Sequence, residues 1–278
     1  MKTFASFRKV FVVVLVTILA LATTLSLCAC SSTNSSENSN NLKPITIGSD
    51  VFPPYNYLDE NGQYAGIDVE ISKEAFRRIG YEANFVTISW SEKDNLLQKG
   101  EIDCIQGCYS MTGREDNYKW AGPYMQSRQV VAVDTNSSIR TLADLEGKTV
   151  AVQATTKPES ILLNGLNKSA GEIKSLYCVD DKALLYPALS KGYVDAIAAH
   201  EETILQYEKD YNITFRILDE SLLDVDIGIA FSKNDTSGIA EKLDDALSEM
   251  HKDGTLEKIV ARYLDDPSKY LGVDAHDR

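Results

Sequence analysis

Apolar positions recur along the chain with two different periods, and the period changes mark the elements. Residues 44–49 (PITIGS) alternate and predict a strand. Ile67, Ile71, Ala75, Phe76 and Ile79 then fall on one helical face, and Gly80 stops the helix. Residues 81–88 predict a second strand. Ser91-x-x-Asp94 has the form of a capping box and opens a short helix that runs to Lys99 and ends at Gly100. Residues 101–106 predict the next strand. This β-α-β-α-β order predicts a mainly parallel sheet covered by helices.

The pattern then repeats weakly. Lys99-Gly100-Glu101-Ile102-Asp103-Cys104-Ile105 ends a helix and opens a strand, and Lys191-Gly192-Tyr193-Val194-Asp195-Ala196-Ile197 does the same further on. Between them, residues 141–146 predict a short helix and 148–153 a strand, and Thr156-x-x-Glu159 caps another helix. A second β/α unit therefore spans about residues 139–217. Two similar α/β lobes account for the echo; a single sheet with coincidental Lys-Gly turns is the alternative. Residues 128–133 and 226–231 are candidate crossings between lobes. Residues 238–250 and 255–264 predict amphipathic helices that pack back on the first lobe. A two-strand hinge puts a ligand cleft at the carboxyl ends of the strands. The expected fold class is thus α/β, a two-lobed clamp. Lobe 1 is discontinuous (43–131 plus 231–273), and lobe 2 comprises 132–230.

The N-terminus concerns compartment rather than fold. Residues 1–9 are basic, and residues 10–27 are almost wholly apolar, which reads as a secretion signal. A retained signal anchor is the alternative, because the apolar run is near spanning length. Leu27-Cys28-Ala29-Cys30 favours the first reading. It resembles a bacterial lipobox with Cys30 as the lipidated residue, so residues 1–29 form a lipoprotein signal peptide. Acyl chains on Cys30 would hold the protein at the extracytoplasmic face of the cell membrane. Residues 31–41 (SSTNSSENSNN) contain nothing apolar, and the segment 30–42 reads as a lipidated cysteine and flexible tether.

Composition narrows the partners. The 278 residues carry 28 Lys+Arg against 41 Asp+Glu, a formal charge of −13. Such acidity disfavours nucleic acid and anionic lipid as partners of the folded part. Beyond the signal and Cys30, Cys104, Cys108 and Cys178 do not make a disulfide framework. With only His200, His251 and His276 in the chain, a structural metal site is not expected, nor is a cofactor.

Four loops that follow strands carry candidate chemistry. In Phe52-Pro53-Pro54-Tyr55-Asn56-Tyr57, the prolines stiffen a loop that offers aromatic walls, Phe52 foremost; Tyr55 and Tyr57 are equally suited to the core. Gly107-Cys108-Tyr109-Ser110-Met111-Thr112-Gly113-Arg114 offers backbone donors, hydroxyls and a guanidinium able to grip a carboxylate. A cation at a helix start opposes the helix dipole, so Arg114 there needs another reason. Gln153-Ala154-Thr155-Thr156 precedes a helix whose N-terminus presents free N–H groups. Ala199-His200-Glu201-Glu202 could hold an ammonium group, although a lone His such as His200 is more often a satisfied polar residue.

These residues, in this order, resemble the extracellular solute-binding proteins of polar amino-acid ABC importers. The resemblance covers nearly all of residues 43–273 and includes the FPPY loop, Gly66-Ile67-Asp68, Gly100-x-Ile102-Asp103, Gly122-Pro123-Tyr124, Gln153-x-Thr155-Thr156, Val194-Asp195-Ala196 and Asp253-Gly254-Thr255-Leu256. It implies a clamp that closes on a free amino acid. Arg114 matches the family arginine for the α-carboxylate. Ser110 and the backbone near Cys108 match its partners for both ends of the ligand. Thr156 matches the second-lobe carboxylate donor, Phe52 the stacking aromatic, and Asp50 a position that reads polar side chains. Trp90 and Tyr124 look like pocket walls. In two places the chain departs from the pattern. The spacing from Ser110 to Arg114 is one residue short, and His200 stands where the family usually has the aspartate that binds the α-ammonium. The neighbouring acid, Glu201, should start on the opposite face if the strand continues.

The resulting expectation is a monomeric, non-enzymatic lipoprotein that hands an amino acid, polar or basic on the hint of Asp50, to permease subunits. Its partners would be the small amino acid, the ABC permease subunits, and the membrane through the lipid on Cys30. The aromatic wall is equally compatible with an aromatic ligand. The competing reading is a dehydratase of prephenate or arogenate on the same scaffold, with His200 and Glu201 as acid groups. A fused sensor would need a later membrane helix and a signalling domain and is not expected; a separate membrane partner that reads the closed state stays open.

Overall fold

The computed structural model describes residues 42–272. The lipidation site, the signal segment and all but the last residue of the tether expected from the sequence lie outside them, as does His276.

Strand β1 (Lys43–Ser49) lies between β4 (Tyr81–Thr87) and β5 (Cys104–Ile105), parallel to both. Helix α1 (Ile67–Arg78) connects the first pair after a small hairpin of β2 (Tyr57–Leu58) and β3 (Tyr64–Ala65). Its Ile67, Ile71, Ala75 and Phe76 are all fully buried. Helix α2 (Lys93–Lys99) ends on Gly100 as expected, although no side chain caps its start. The second half repeats the plan. There β7 (Thr149–Gln153) lies between β8 (Ser175–Val179) and β9 (Ala196–His200), again parallel, with helices α3 (Lys157–Asn164), α4 (Leu185–Ser190) and α5 (Glu201–Tyr211).

The sequence echo is a structural one. Asp103 Oδ2 accepts from the N–H of Thr46 at 2.6 Å, and the Asp103 N–H donates to Thr46 O at 2.8 Å. Asp195 makes the same pair of bonds to Thr149, at 2.8 and 2.9 Å. Each aspartate ties the start of one strand to the neighbouring parallel strand. Those bonds also explain why the strand expected over residues 101–106 shortens to Cys104–Ile105: its first residues are taken up by this tie.

Two long strands join the halves, β6 (Tyr118–Asp134) and β10 (Phe215–Ser232). They pair antiparallel at the centre of an eight-stranded sheet ordered β4-β1-β5-β10-β6-β9-β7-β8. The hydrogen-bonded sheet is therefore continuous, but the cores are separate. Ile47, Phe76, Met125 and Ile227 belong to one. Beyond the crossing, β6 is buried on both faces: Val131 and Val133 point into one cluster with Val150 and Val152, and Val130 and Ala132 into another with Leu185 and Ile197. This is the strict two-residue alternation of a strand covered on both sides. Register shifts in β10 flank the crossing, where Ser127 faces Val225 and Arg128 faces Asp224; such bulges bend and twist a ribbon. Helices α6 (Ile239–Lys252) and α7 (Thr255–Val260) return to the first core through Leu243, Leu247, Met250 and Leu256. The fold is an α/β two-lobed clamp. Among the described residues, no helix is long and apolar enough to cross a membrane.

Candidate functional site

The carboxyl ends of β1, β7 and β9, the loops after β5 and β8, and the crossing strand β6 converge on a cleft. Eight of the nine residues singled out from the sequence line it: Asp50, Phe52, Trp90, Cys108, Ser110, Arg114, Thr156 and His200. Glu201 does not. It is the first residue of α5, and its carboxylate accepts from Arg128 at 3.1 Å and from Lys269 at 3.0 Å on the outer side. Tyr124 also lies elsewhere, in the first core, and Tyr55 is fully buried beneath Phe52.

The floor is set by Asp68 at the start of α1. Its carboxylate accepts from the N–H of Cys108 at 2.8 Å and from Tyr124 Oη at 2.7 Å. Burial raises its pKa to about 7 against those two bonds. The tie fixes Cys108 in a left-handed conformation and directs its N–H away from the cleft. The Cys108 thiol, pushed well up by burial, is a packed side chain there. The turn then delivers Ser110 and Arg114. Arg114 Nη1 donates to Ser110 O, and its guanidinium lies 4.9 Å from the ring of Tyr109. Among the described residues, no carboxylate lies within ion-pair distance of Arg114. Thr156 turns its hydroxyl to Gln153 O at 2.6 Å, so the helix it precedes starts without a side-chain cap.

The halves touch across the cleft. Gln153 Nε2 donates to Asp50 Oδ2 at 2.8 Å, Lys182 Nζ lies 3.0 Å from the same oxygen, Lys93 Nζ donates to Thr155 Oγ1 at 2.9 Å, and Arg114 Nη2 donates to Thr155 O at 3.3 Å. Lys182 also sits 2.9 Å from the centroid of the Phe52 ring.

His200 ends β9 inside the cleft. Burial, with the Lys182 and Arg114 charges adding to it, pushes its pKa down to about 3, so the ring is neutral near pH 7. Ser127 Oγ donates to Glu202 Oε2 at 2.7 Å and therefore accepts from His200 Nδ1 at 2.8 Å. That leaves Nε2 to accept from Gln129 Nε2 at 2.7 Å. Glu202 is buried, and burial raises its pKa to about 7. Gln129 Oε1, also buried, keeps an unused acceptor.

Sequence reading missed Lys182, Gln129 and Tyr186 as lining residues. Lys182 follows β8, an edge strand whose residues are exposed or half-buried and show no clean alternation, so the loop after it was not expected at the cleft. Gln129 sits in a run read only as a crossing.

Comparison with known proteins agrees with this architecture. The histidine-binding periplasmic protein of Salmonella typhimurium is 30% identical over 231 residues, which cover 80% of this chain and 87% of that protein. The L-cystine-binding protein TcyJ of Escherichia coli K12 is 26% identical over 216 residues, 77% of this chain and 79% of its own. A substrate-binding protein of an ABC uptake transporter from Streptococcus pneumoniae, solved with bound histidine, superposes with a TM-score of 0.74 at 25% identity, covering 81% of this chain and 93% of that one. Residues 45–266 match the family described as bacterial extracellular solute-binding proteins, family 3, and the protein belongs to that family.

Proposed function

We propose that the chain is the substrate-binding lipoprotein of an ABC importer, capturing a free amino acid outside the membrane and delivering it to permease subunits. The observation that carries this reading is Arg114. Its half-buried guanidinium lines the cleft, with no carboxylate partner among the described residues, opposite Thr155 and Thr156 of the other half. A carboxylate held there joins the two halves, and an unpaired buried charge on either side is costly. Phe52 and Trp90 supply the aromatic walls, Ser110, Thr156 and His200 complete the ligand shell, and Asp50 and Cys108 support it from behind through Lys182 and Asp68. Ser110 Oγ and Gln129 Oε1 offer neutral acceptors for an α-ammonium in place of the aspartate expected at position 200.

The role is binding, not turnover. The reading is supported by the relatives named above, which are binding proteins. We assign lobe 1 to 43–131 plus 231–273 and lobe 2 to 132–230, residues 1–29 to a signal peptide, Cys30 to lipidation and 30–42 to the tether. The protein acts as a monomer at the extracytoplasmic face.

Calorimetric titration of protein refolded free of carried-over ligand, against the twenty amino acids and their deaminated analogues, tests the reading. Saturable one-to-one binding of an amino acid, absent for its analogue, is the expected result. Binding of neither set overturns it.

A further inference from the structure

Asp50 and Phe52 together form a site for a cation: a carboxylate beside an aromatic face. The sequence expectation places the polar or basic side chain of a ligand there. The structure places Lys182 there instead, 3.0 Å from Asp50 Oδ2 and over the Phe52 ring. Gln153 donates to that same carboxylate oxygen. Among the described residues, the single acid lining the cleft is thereby committed within the chain, and a basic ligand would find its place filled.

The remaining charges are positive. Arg114 and Lys157 line the cleft, and among the described residues neither has a carboxylate within ion-pair distance. They crowd one end: Lys157 Nζ lies 2.7 Å from where a side chain on Gly113 would begin. Burial and the Arg114 charge lower the pKa of Lys157. Lys182 stands at the other end, in a wall shared with a second cavity that Asp50, Phe52, Trp90 and Tyr186 also border. Burial lowers its pKa to about 8, which leaves it mostly protonated at neutral pH. Its ammonium has three donors, of which Asp50 takes one. His200 is neutral. The lining thus counts three cations against one carboxylate, in a chain whose overall charge is −13.

We propose that the cleft selects a short ligand with a second carboxylate, an acidic amino acid or a simple dicarboxylate, and that Lys182 is the residue that determines this specificity. The inference rests on the binding-protein reading of the same cleft and names its ligand class. One carboxylate lies on Arg114 and Lys157, and the second on the free donors of Lys182.

The test is calorimetric titration of the full-length protein in detergent, refolded to remove carried-over ligand. The probes are glutamate, aspartate, glutamine, asparagine, arginine, lysine, glutarate and succinate, with parent, Lys182→Met and Lys182→Arg. The expected result is that glutamate or aspartate binds at least about tenfold more tightly than its amide, the worth of one charge-assisted contact. Lys182→Met erases that preference and Lys182→Arg retains it. Should Lys182→Met fail to fold, the ranking of acid against amide in the parent decides. Binding of glutarate or succinate without any amino acid supports the second-carboxylate assignment and overturns the amino-acid reading. Tightest binding of arginine, lysine or an amide overturns the assignment and leaves the amino-acid reading standing. Binding of no probe overturns the assignment, and the wider panel of amino acids then decides the transport reading separately.

Discussion

Arg128 Nη1 lies 3.1 Å from Glu201 Oε1, and this pair holds the acid that follows His200 on the outside of the clamp. Arg128 belongs to the crossing strand β6 and Glu201 to the first turn of α5, where an acid also suits the helix dipole. Lys269, near the C-terminal end of the described chain, reaches the other carboxylate oxygen at 3.0 Å. The contact therefore fastens the second half, the crossing and the C-terminal segment together. Glu201→Gln should cost about 1 kcal/mol of stability, since both cations are partly exposed and screened. Ligand affinity should stay within about twofold, as expected for a change outside the cleft. Urea unfolding and titration on the same variant check both; a large loss of affinity with unchanged stability would place Glu201 in the ligand shell after all.

Arg114 should behave in the opposite way. Its side chain is half-buried and, among the described residues, hydrogen-bonded only to backbone carbonyls of Ser110 and Thr155. Arg114→Ala leaves both halves folded but removes the guanidinium proposed for the α-carboxylate. Affinity should fall about a hundredfold or more, the worth of two charge-assisted bonds. Retained affinity with an unchanged circular dichroism spectrum would sink the assignment. Arg114→Lys should recover only part of the loss, because an ammonium cannot make the two parallel bonds.

Much of this was legible before any coordinates. The order of strands and helices follows from periodicity and glycine stops. The Lys-Gly and Asp positions of the two repeats coincide in their bonds to Thr46 and Thr149. Glu201 does turn away from the cleft, as alternation suggested, but for another reason: the strand ends at His200 and Glu201 opens α5. Lys182 was not legible, because its position depends on an edge strand whose sequence has no clear period, and its partner Asp50 is 132 residues away in the chain. The spacing of local apolar residues carries no information about such a pairing. The same is true of the His200–Ser127–Glu202 chain, which joins a strand end to the crossing strand.

That chain gives the protein two opposing pH terms. For His200, the folded pKa of about 3 lies below the ordinary imidazole value of 6.5, so below pH 6.5 the unfolded chain binds a proton that the folded one refuses. Stability from this group falls as pH drops from about 6.5 toward 3. For Glu202, the folded pKa of about 7 lies above the ordinary carboxyl value of 4.5, so between these the folded chain keeps a proton the unfolded one has lost. Stability from this group falls as pH rises from about 4.5 to 7. Each slope is at most about 1.4 kcal/mol per pH unit. Glu202→Gln keeps an acceptor for Ser127 and removes the second slope. Relative to the parent it should therefore gain stability between pH 4 and pH 8, read by urea unfolding at both. A difference that stays constant across that range means Glu202 is ionised throughout.

Gly66 ties the aromatic loop to the helix that holds the floor. It adopts φ of 120°, and a Cβ there would lie 2.3 Å from Tyr55 O and 2.8 Å from Pro54 O, both backbone atoms with little room to move. Those same carbonyls accept the first N–H groups of α1: Ile67 N donates to Pro54 O at 3.0 Å, and Asp68 N donates to Tyr55 O at 2.9 Å. The loop bearing Phe52 and the helix bearing Asp68 thus share one set of bonds, and Asp68 in turn fixes Cys108 and the turn to Ser110. Gly66→Ala should break that register, costing about 3 kcal/mol or more, and should weaken ligand binding through both Phe52 and Ser110. Gly80→Ala is the control: φ is 85° but no atom lies within 4 Å of the added carbon, so it carries only the left-handed cost of about 1–2 kcal/mol and leaves affinity unchanged. Equal losses of stability and affinity in the two variants would show that conformation alone, and not the close approach to the FPPY backbone, accounts for the glycine at position 66.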